Sequence, residues 1–130
     1  MYALDTNSVV YFFKGMGNVA ERFLKAQPSE IGIPAVVLYE LEVGIAKSSS
    51  PKKRRAQLDT LVRHAKVLSF GPEEARTAAL VRAGLEKEGC PIGPLDTLIA
   101  GTALSHRAIL VTRNVKEFGR VGNLRIENWF

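Results

Sequence analysis

Cysteine is almost missing. Cys90 stands alone among 130 residues, so neither an internal disulfide nor a cysteine-based zinc site can form within the chain. No apolar run approaches the roughly 20 residues needed to cross a bilayer, and the opening Met1-Tyr2-Ala3-Leu4-Asp5 lacks the basic and long apolar stretches of a secretory signal. A reduced, cytoplasmic setting with no membrane anchor is the expectation. The sequence also has no Walker loop, no Rossmann glycine fingerprint and no Gly-x-Ser-x-Gly elbow, which removes the common nucleotide-binding and serine-hydrolase readings. Only two histidines are present. His64 and His106 each end a predicted helix, where a dipole role fits them better than a catalytic triad.

What is present fits one compact domain over residues 1–130. Hydrophobic residues make up 46% and charged residues 24% of the chain, a balance that supports a packed core rather than disorder. Eighteen Lys and Arg against thirteen Asp and Glu leave a net charge of +5. That sign favours nucleic acid or an acidic protein as partner without naming either.

Short apolar runs alternate with helical patterns. Strands are expected at Tyr2-Ala3-Leu4, Ile31-Gly32-Ile33, Lys66 to Ser69 and Ile109-Leu110-Val111, with an edge strand at Leu124-Arg125-Ile126. Helices are expected at Val9 to Lys14 and Val19 to Ala26, broken by Gly15-Met16-Gly17. Further helices run from Pro34, at its first position, to about Lys47, from Lys52 to His64, from Gly71 to Gly89, and from Pro94 to His106. This alternation predicts an α/β fold, a short and mostly parallel sheet of four to five strands flanked by helices. In such sheets ligands bind beyond the carboxyl ends of the strands, at a topological switch point.

Four carboxylates stand out against that frame. Asp5 directly follows the first strand, where it can serve a site, cap a helix, or do both. Glu40 falls on a helical wheel between Val36 and Val43 on one side and Gly44 and Val37 on the other, inside the apolar arc, whereas Glu42 falls outside it. A carboxylate facing inward costs several kcal/mol unless a cation or hydrogen bonds compensate it, and Gly44 leaves room beside it; a partly exposed position at the helix edge is the alternative. Asp96 lies amid Ile99, Ala100, Ala103 and Leu104 at the centre of another apolar face. The helix dipole accounts for an acid in that first turn but not for its inward direction. Glu117 comes just after the strand Ile109 to Val111, either turned toward Asp5 and Asp96 or exposed in a loop. Like charges gathered in this way repel unless a cation joins them, and oxygen-only donors suit Mg²⁺ or Mn²⁺. Metal-assisted phosphodiester hydrolysis is the chemistry that matches.

The segments carrying these acids resemble the motifs of the PIN-domain family, and within it the VapC-type toxins of toxin–antitoxin pairs. Leu4-Asp5-Thr6-Asn7 is similar to the family's opening acid motif, and Tyr39-Glu40-Leu41-Glu42-Val43-Gly44-Ile45-Ala46 to its Glu-x-x-x-Gly helix. Ile92-Gly93-Pro94-Leu95-Asp96-Thr97-Leu98-Ile99-Ala100 resembles the central Asp segment, and Leu110-Val111-Thr112-Arg113-Asn114-Val115-Lys116-Glu117-Phe118 the closing motif. The resemblance implies a Mg²⁺- or Mn²⁺-dependent endoribonuclease acting on structured RNA such as transfer or ribosomal RNA, a homodimer, and inhibition by a cognate VapB-type antitoxin. It implies metal binding by Asp5, Asp96 and Glu117, with Glu40 acting directly or through water and Thr6, Thr112 and Asn114 as polar support. Many relatives carry Asp where Asn114 stands, so the fourth acid moves to Glu117. That departure also leaves open a catalytically silent module that binds RNA or protein.

Lys52, Lys53, Arg54 and Arg55 form a basic surface suited to an RNA backbone, or an ordinary solvated helix face. Phe12, Phe13 and Phe23 read as core or as partner-facing apolar surface. A receiver-like phosphoacceptor would need an acid after the third strand, where Ser69-Phe70-Gly71 stands instead.

Overall fold

The computed structural model describes residues 1–130. In chain order its elements are β1 (Tyr2–Leu4), α1 (Thr6–Lys14), α2 (Val19–Lys25), a 3₁₀ turn at Pro28–Glu30, β2 (Ile31–Pro34), α3 (Ala35–Lys47) and α4 (Pro51–His64). Then follow β3 (Lys66–Leu68), α5 (Pro72–Lys87), α6 (Pro94–Ser105), β4 (Ile109–Val111), α7 (Val115–Phe118) and β5 (Ile126–Glu127). The five strands form one sheet in the order β3-β2-β1-β4-β5, and every neighbouring pair is parallel. The expected sheet is therefore present and wholly parallel.

From β1 the chain steps outward to β2 and β3, then returns to build β4 and β5 on the other side. The switch point lies between β1 and β4. Consecutive residues of the central strands are buried: Ala3 and Leu4, Ile31 to Pro34, and Leu110 and Val111. Burial of both alternating sets means that helices cover both faces, as parallel sheets require. Trp129 closes one side of this core, 3% exposed, with its ring edge-on to Tyr2 at 5.0 Å.

Three of the boundaries that differ from the sequence expectation have a visible cause. The first helix starts at Thr6, not Val9, because Asp5 caps it: its Oδ1 accepts from the Ser8 backbone N–H at 2.9 Å. Pro34 belongs to β2, paired with Leu68, and caps α3 from an extended conformation. As the last strand residue it needs no N–H for the ladder beyond it. The edge strand is Ile126–Glu127 rather than Leu124 to Ile126, since β4 bonds to Arg125 and Glu127 carbonyls. The short helix α7 was not expected at all; four residues give too little periodicity to read.

The α5–α6 hairpin sets where Asp96 stands. A Cβ at Gly101 would lie 2.5 Å from the Ala78 Cβ and 2.6 Å from its Cα, so glycine is what lets the two helices approach. Gly101→Ala is expected to cost about 1–3 kcal/mol by overpacking, read as a lower urea midpoint. An unchanged midpoint would contradict the close approach.

Candidate active site

The site is assembled at the carboxyl ends of β1 and β4. The Asp5 backbone N–H donates to the Val111 carbonyl at 3.1 Å, and the Ser8 hydroxyl donates to that same oxygen at 3.1 Å. Ser8, buried on α1, thus ties the helix start to both strands at the switch point. Sequence reasoning passed it over, although its place three residues after Asp5 is that of a capped backbone amide. Asp5 itself is 5% exposed, held between its cap bond and the strand.

Glu40 enters from α3, half-buried. Its Oε1 accepts from the Thr6 hydroxyl at 2.7 Å, so the residue following Asp5 orients the second acid. Gly44, one turn on, has nothing within 4 Å of a Cβ position and lines a cleft of about 370 Å³ with Thr6, Glu40, Lys14 and Arg54. The opening that glycine was expected to leave is there. Glu42 points away and pairs with Arg55.

Asp96 reaches in from the first turn of α6, half-buried. Burial is the main cause that pushes its carboxyl above the usual range, and Glu117, Glu40 and Asp5 add to it in that order. The four acids therefore share one electrostatic environment. None of them is ion-paired with a Lys or Arg. Beyond β4, Thr112 is fully buried, and its hydroxyl accepts from the Asn114 N–H at 3.0 Å, shaping the turn into α7. The Asn114 side-chain amide then donates to Glu117 Oε2 at 3.2 Å. Asn114 holds the neighbouring acid rather than supplying a charge itself.

No three His, Cys, Asp or Glu side chains are close enough to ligate one ion directly. The acids are near enough to repel and too far apart to close on a bare ion. That arrangement fits a hydrated hard cation, since Mg²⁺ retains several waters and takes only one or two carboxylates.

The basic run divides. Arg54 lines the cleft beside Glu40, and Lys52 and Lys53 are exposed on α4. Arg55 is engaged by Glu42 and lies 3.9 Å from Asp59, so it is no free cation. His64 bonds the Thr60 carbonyl, and His106 the Ser69 carbonyl and Glu74; neither touches the acids. Phe12, Phe13 and Phe23 line a separate open groove of about 660 Å³ with Leu24, Leu61 and His64. Phe13 borders both this groove and the acid cleft.

Known proteins share this fold. The family model described as PIN domain matches residues 2–124. The chain is 39% identical over 129 residues to the tRNA(fMet)-specific endonuclease VapC of Shigella flexneri, spanning 98% of this chain and 97% of that one. It is 35% identical over 131 residues to ribonuclease VapC2 of Rickettsia felis, spanning 99% and 98%. Among solved structures, DNA-bound VapBC from Salmonella typhimurium superposes with a TM-score of 0.93 at 33% identity, covering 99% of this chain and 98% of that one. VapBC2 from Rickettsia felis, bound to a fragment of its promoter, gives 0.91 at 35% identity over the same shares. The chain belongs to the PIN-domain family. The VapC ribonucleases are the branch of it that this sequence matches along nearly its whole length.

The raised Asp96 carboxyl has a consequence for stability without metal. Folded Asp96 keeps its proton to higher pH than unfolded Asp96 does, so stability falls as pH rises between the two titrations. Asp96→Asn removes that charge. In chelator at neutral pH the variant is expected to melt above the parent, with the gap narrowing as pH falls through the raised folded titration and closed below about 3.9, where an unfolded Asp is protonated too. A gap independent of pH would contradict the assignment.

Proposed function

We propose that this chain is the toxin of a type II toxin–antitoxin pair, a Mg²⁺- or Mn²⁺-dependent endoribonuclease that hydrolyses phosphodiester bonds in structured RNA. Transfer RNA is the first substrate to try, given the names of its relatives. The observation that carries the reading is the set of four carboxylates that no Lys or Arg pairs, Asp5, Glu40, Asp96 and Glu117, around the β1–β4 switch point. The reading keeps the homodimer that the family resemblance implies and the cytoplasmic setting expected from the scarcity of cysteine.

Each residue has a distinct task. A divalent cation among Asp5, Asp96 and Glu117 would neutralise charge developing on the phosphate and lower the pKa of a bound water. Asp5 is fixed by the α1 cap and the strand bond. Thr6 keeps the Glu40 carboxylate turned into the cleft, and Asn114 does the same for Glu117. Thr112 shapes the turn that makes this possible. Lys14 and Arg54 on the cleft wall, with Lys52 and Lys53 outside, bring positive charge to an RNA backbone approaching an acidic centre. The hold of Asn114 on Glu117 supports Glu117 as the fourth acid and weighs against the silent-module reading, which rested on the missing Asp.

The inhibitor is a VapB-type antitoxin. The groove lined by Phe12, Phe13, Phe23 and Leu24 is open and largely apolar, and it shares Phe13 with the acid cleft. A segment with apolar anchors followed by a cation matches both halves.

The test is cleavage of transfer RNA by antitoxin-free protein with Mg²⁺, Mn²⁺ or chelator. Discrete products in either metal, none in chelator and none from Asp96→Asn are expected. Thr6→Val should retain cleavage at a rate lower by about 10–100-fold, as loss of a ligand's supporting hydrogen bond typically costs. Products that persist in chelator, or full activity in Asp96→Asn, would overturn the reading.

A further inference from the structure

Arg113 stands between Thr112 and Asn114, in the turn that leads from β4 into α7 and its Glu117, yet it pairs with no carboxylate. A flexible arginine so placed would ordinarily fold onto the nearest acid. Instead its guanidinium lies 3.6 Å from the ring centroid of Phe130 and 5.8 Å from that of Tyr11. The two rings meet edge to face at 4.9 Å, forming a single platform.

The platform is built, not incidental. The Phe130 carbonyl accepts from the Asn18 backbone N–H at 2.9 Å and from its side-chain amide at 3.3 Å. The Phe130 N–H donates to Asn128 Oδ1 at 2.9 Å. Gly17, at φ +63°, lets the ring seat: a Cβ there would stand 2.6 Å from the Phe130 carbonyl oxygen and 2.8 Å from Cγ. Stacking holds one face of the guanidinium and leaves its in-plane N–H donors free. Arg113 is exposed, and its side chain donates no hydrogen bond within the protein, whereas Arg22, Arg55, Arg82 and Arg120 all do.

Resting on the nuclease reading above, we infer that Arg113 is a substrate-binding residue that grips a backbone phosphate of the RNA flanking the scissile bond. Phe130 is its positioning residue. A planar fork held on an aromatic face and kept off the acids is preorganised for bidentate contact with a phosphate. It also keeps positive charge on the turn that leads to Glu117, an acid that alone would repel RNA.

The test measures transfer RNA binding against salt concentration in the non-cleaving Asp96→Asn protein, alone and with Arg113→Ala, Arg113→Lys, Phe130→Leu or Phe130→Tyr. Melting temperatures are taken for each variant. Arg113→Ala is expected to weaken binding about tenfold and to flatten the salt slope by about 0.7–0.9, the share of one phosphate contact. Arg113→Lys should keep the slope and recover only part of the affinity. Phe130→Leu should weaken binding, and Phe130→Tyr should restore it. Unchanged affinity in Arg113→Ala would overturn the inference, and so would weaker binding with an unchanged slope, the mark of a merely structural role. Cleavage by the unsubstituted protein is run beside these, so that either failure with cleavage intact falls on Arg113 alone. Neither binding nor cleavage by the parent proteins would overturn both readings together.

Discussion

Repulsion among Asp5, Glu40, Asp96 and Glu117 is the force that the surrounding structure has to oppose. Asp5 leaves the end of β1, Glu117 stands on the short helix α7 that follows β4, and Glu40 and Asp96 are delivered by the helices α3 and α6. Burial and the other three carboxylates push Asp96 toward its neutral form, and no lysine or arginine relieves any of the four. A fold would not keep so costly a set without something that stabilises it in use. In the proposed reading a hard divalent cation would supply that relief, together with the substrate-side chemistry that carboxylates alone lack.

The rigid parts of the molecule are arranged around that cost. A sheet buried on both faces fixes the ends of β1 and β4, and the Val111 carbonyl takes bonds from Asp5 and Ser8 so that the two strand ends move as one. Tight α5–α6 packing at Gly101 and Ala78 sets the depth at which Asp96 enters. Hydroxyl and amide groups make the finer adjustment, Thr6 for Glu40 and Asn114 for Glu117. These neutral partners orient carboxylates without neutralising them, which leaves the charge available to a metal. Positive charge is kept to the margins, on Arg54 and Lys14 in the cleft wall and on Arg113 over its aromatic platform.

Much of this was legible in the sequence, because strand positions and inward-facing acids are written in local periodicity. The four principal strands and the long helices follow from apolar runs and their Pro and Gly punctuation. Glu40 and Asp96 declared themselves by sitting on apolar faces. What escaped depends on contacts distant in the chain. Thr6 meets Glu40 across 34 positions and Ser8 meets Val111 across 103, separations that no helical wheel reports. Arg55 read as a free cation until the fold brought Glu42 against it. Asn114 read as a lost acid, and its actual task, holding Glu117, appears only when α7 forms. The platform beneath Arg113 joins residues from both ends of the chain.

The most direct test of the central claim needs no RNA. Thermal melting of antitoxin-free protein is followed as Mn²⁺ is raised, beside Asp96→Asn. If the acid cluster is a cation site, a ligand that binds only the folded state must stabilise it, by about 2.7 kcal/mol at a hundred times its Kd. The parent's melting temperature should climb with Mn²⁺ from a low starting value, and the variant should start higher and gain little. A parent that melts at the same temperature with and without Mn²⁺ would contradict the account.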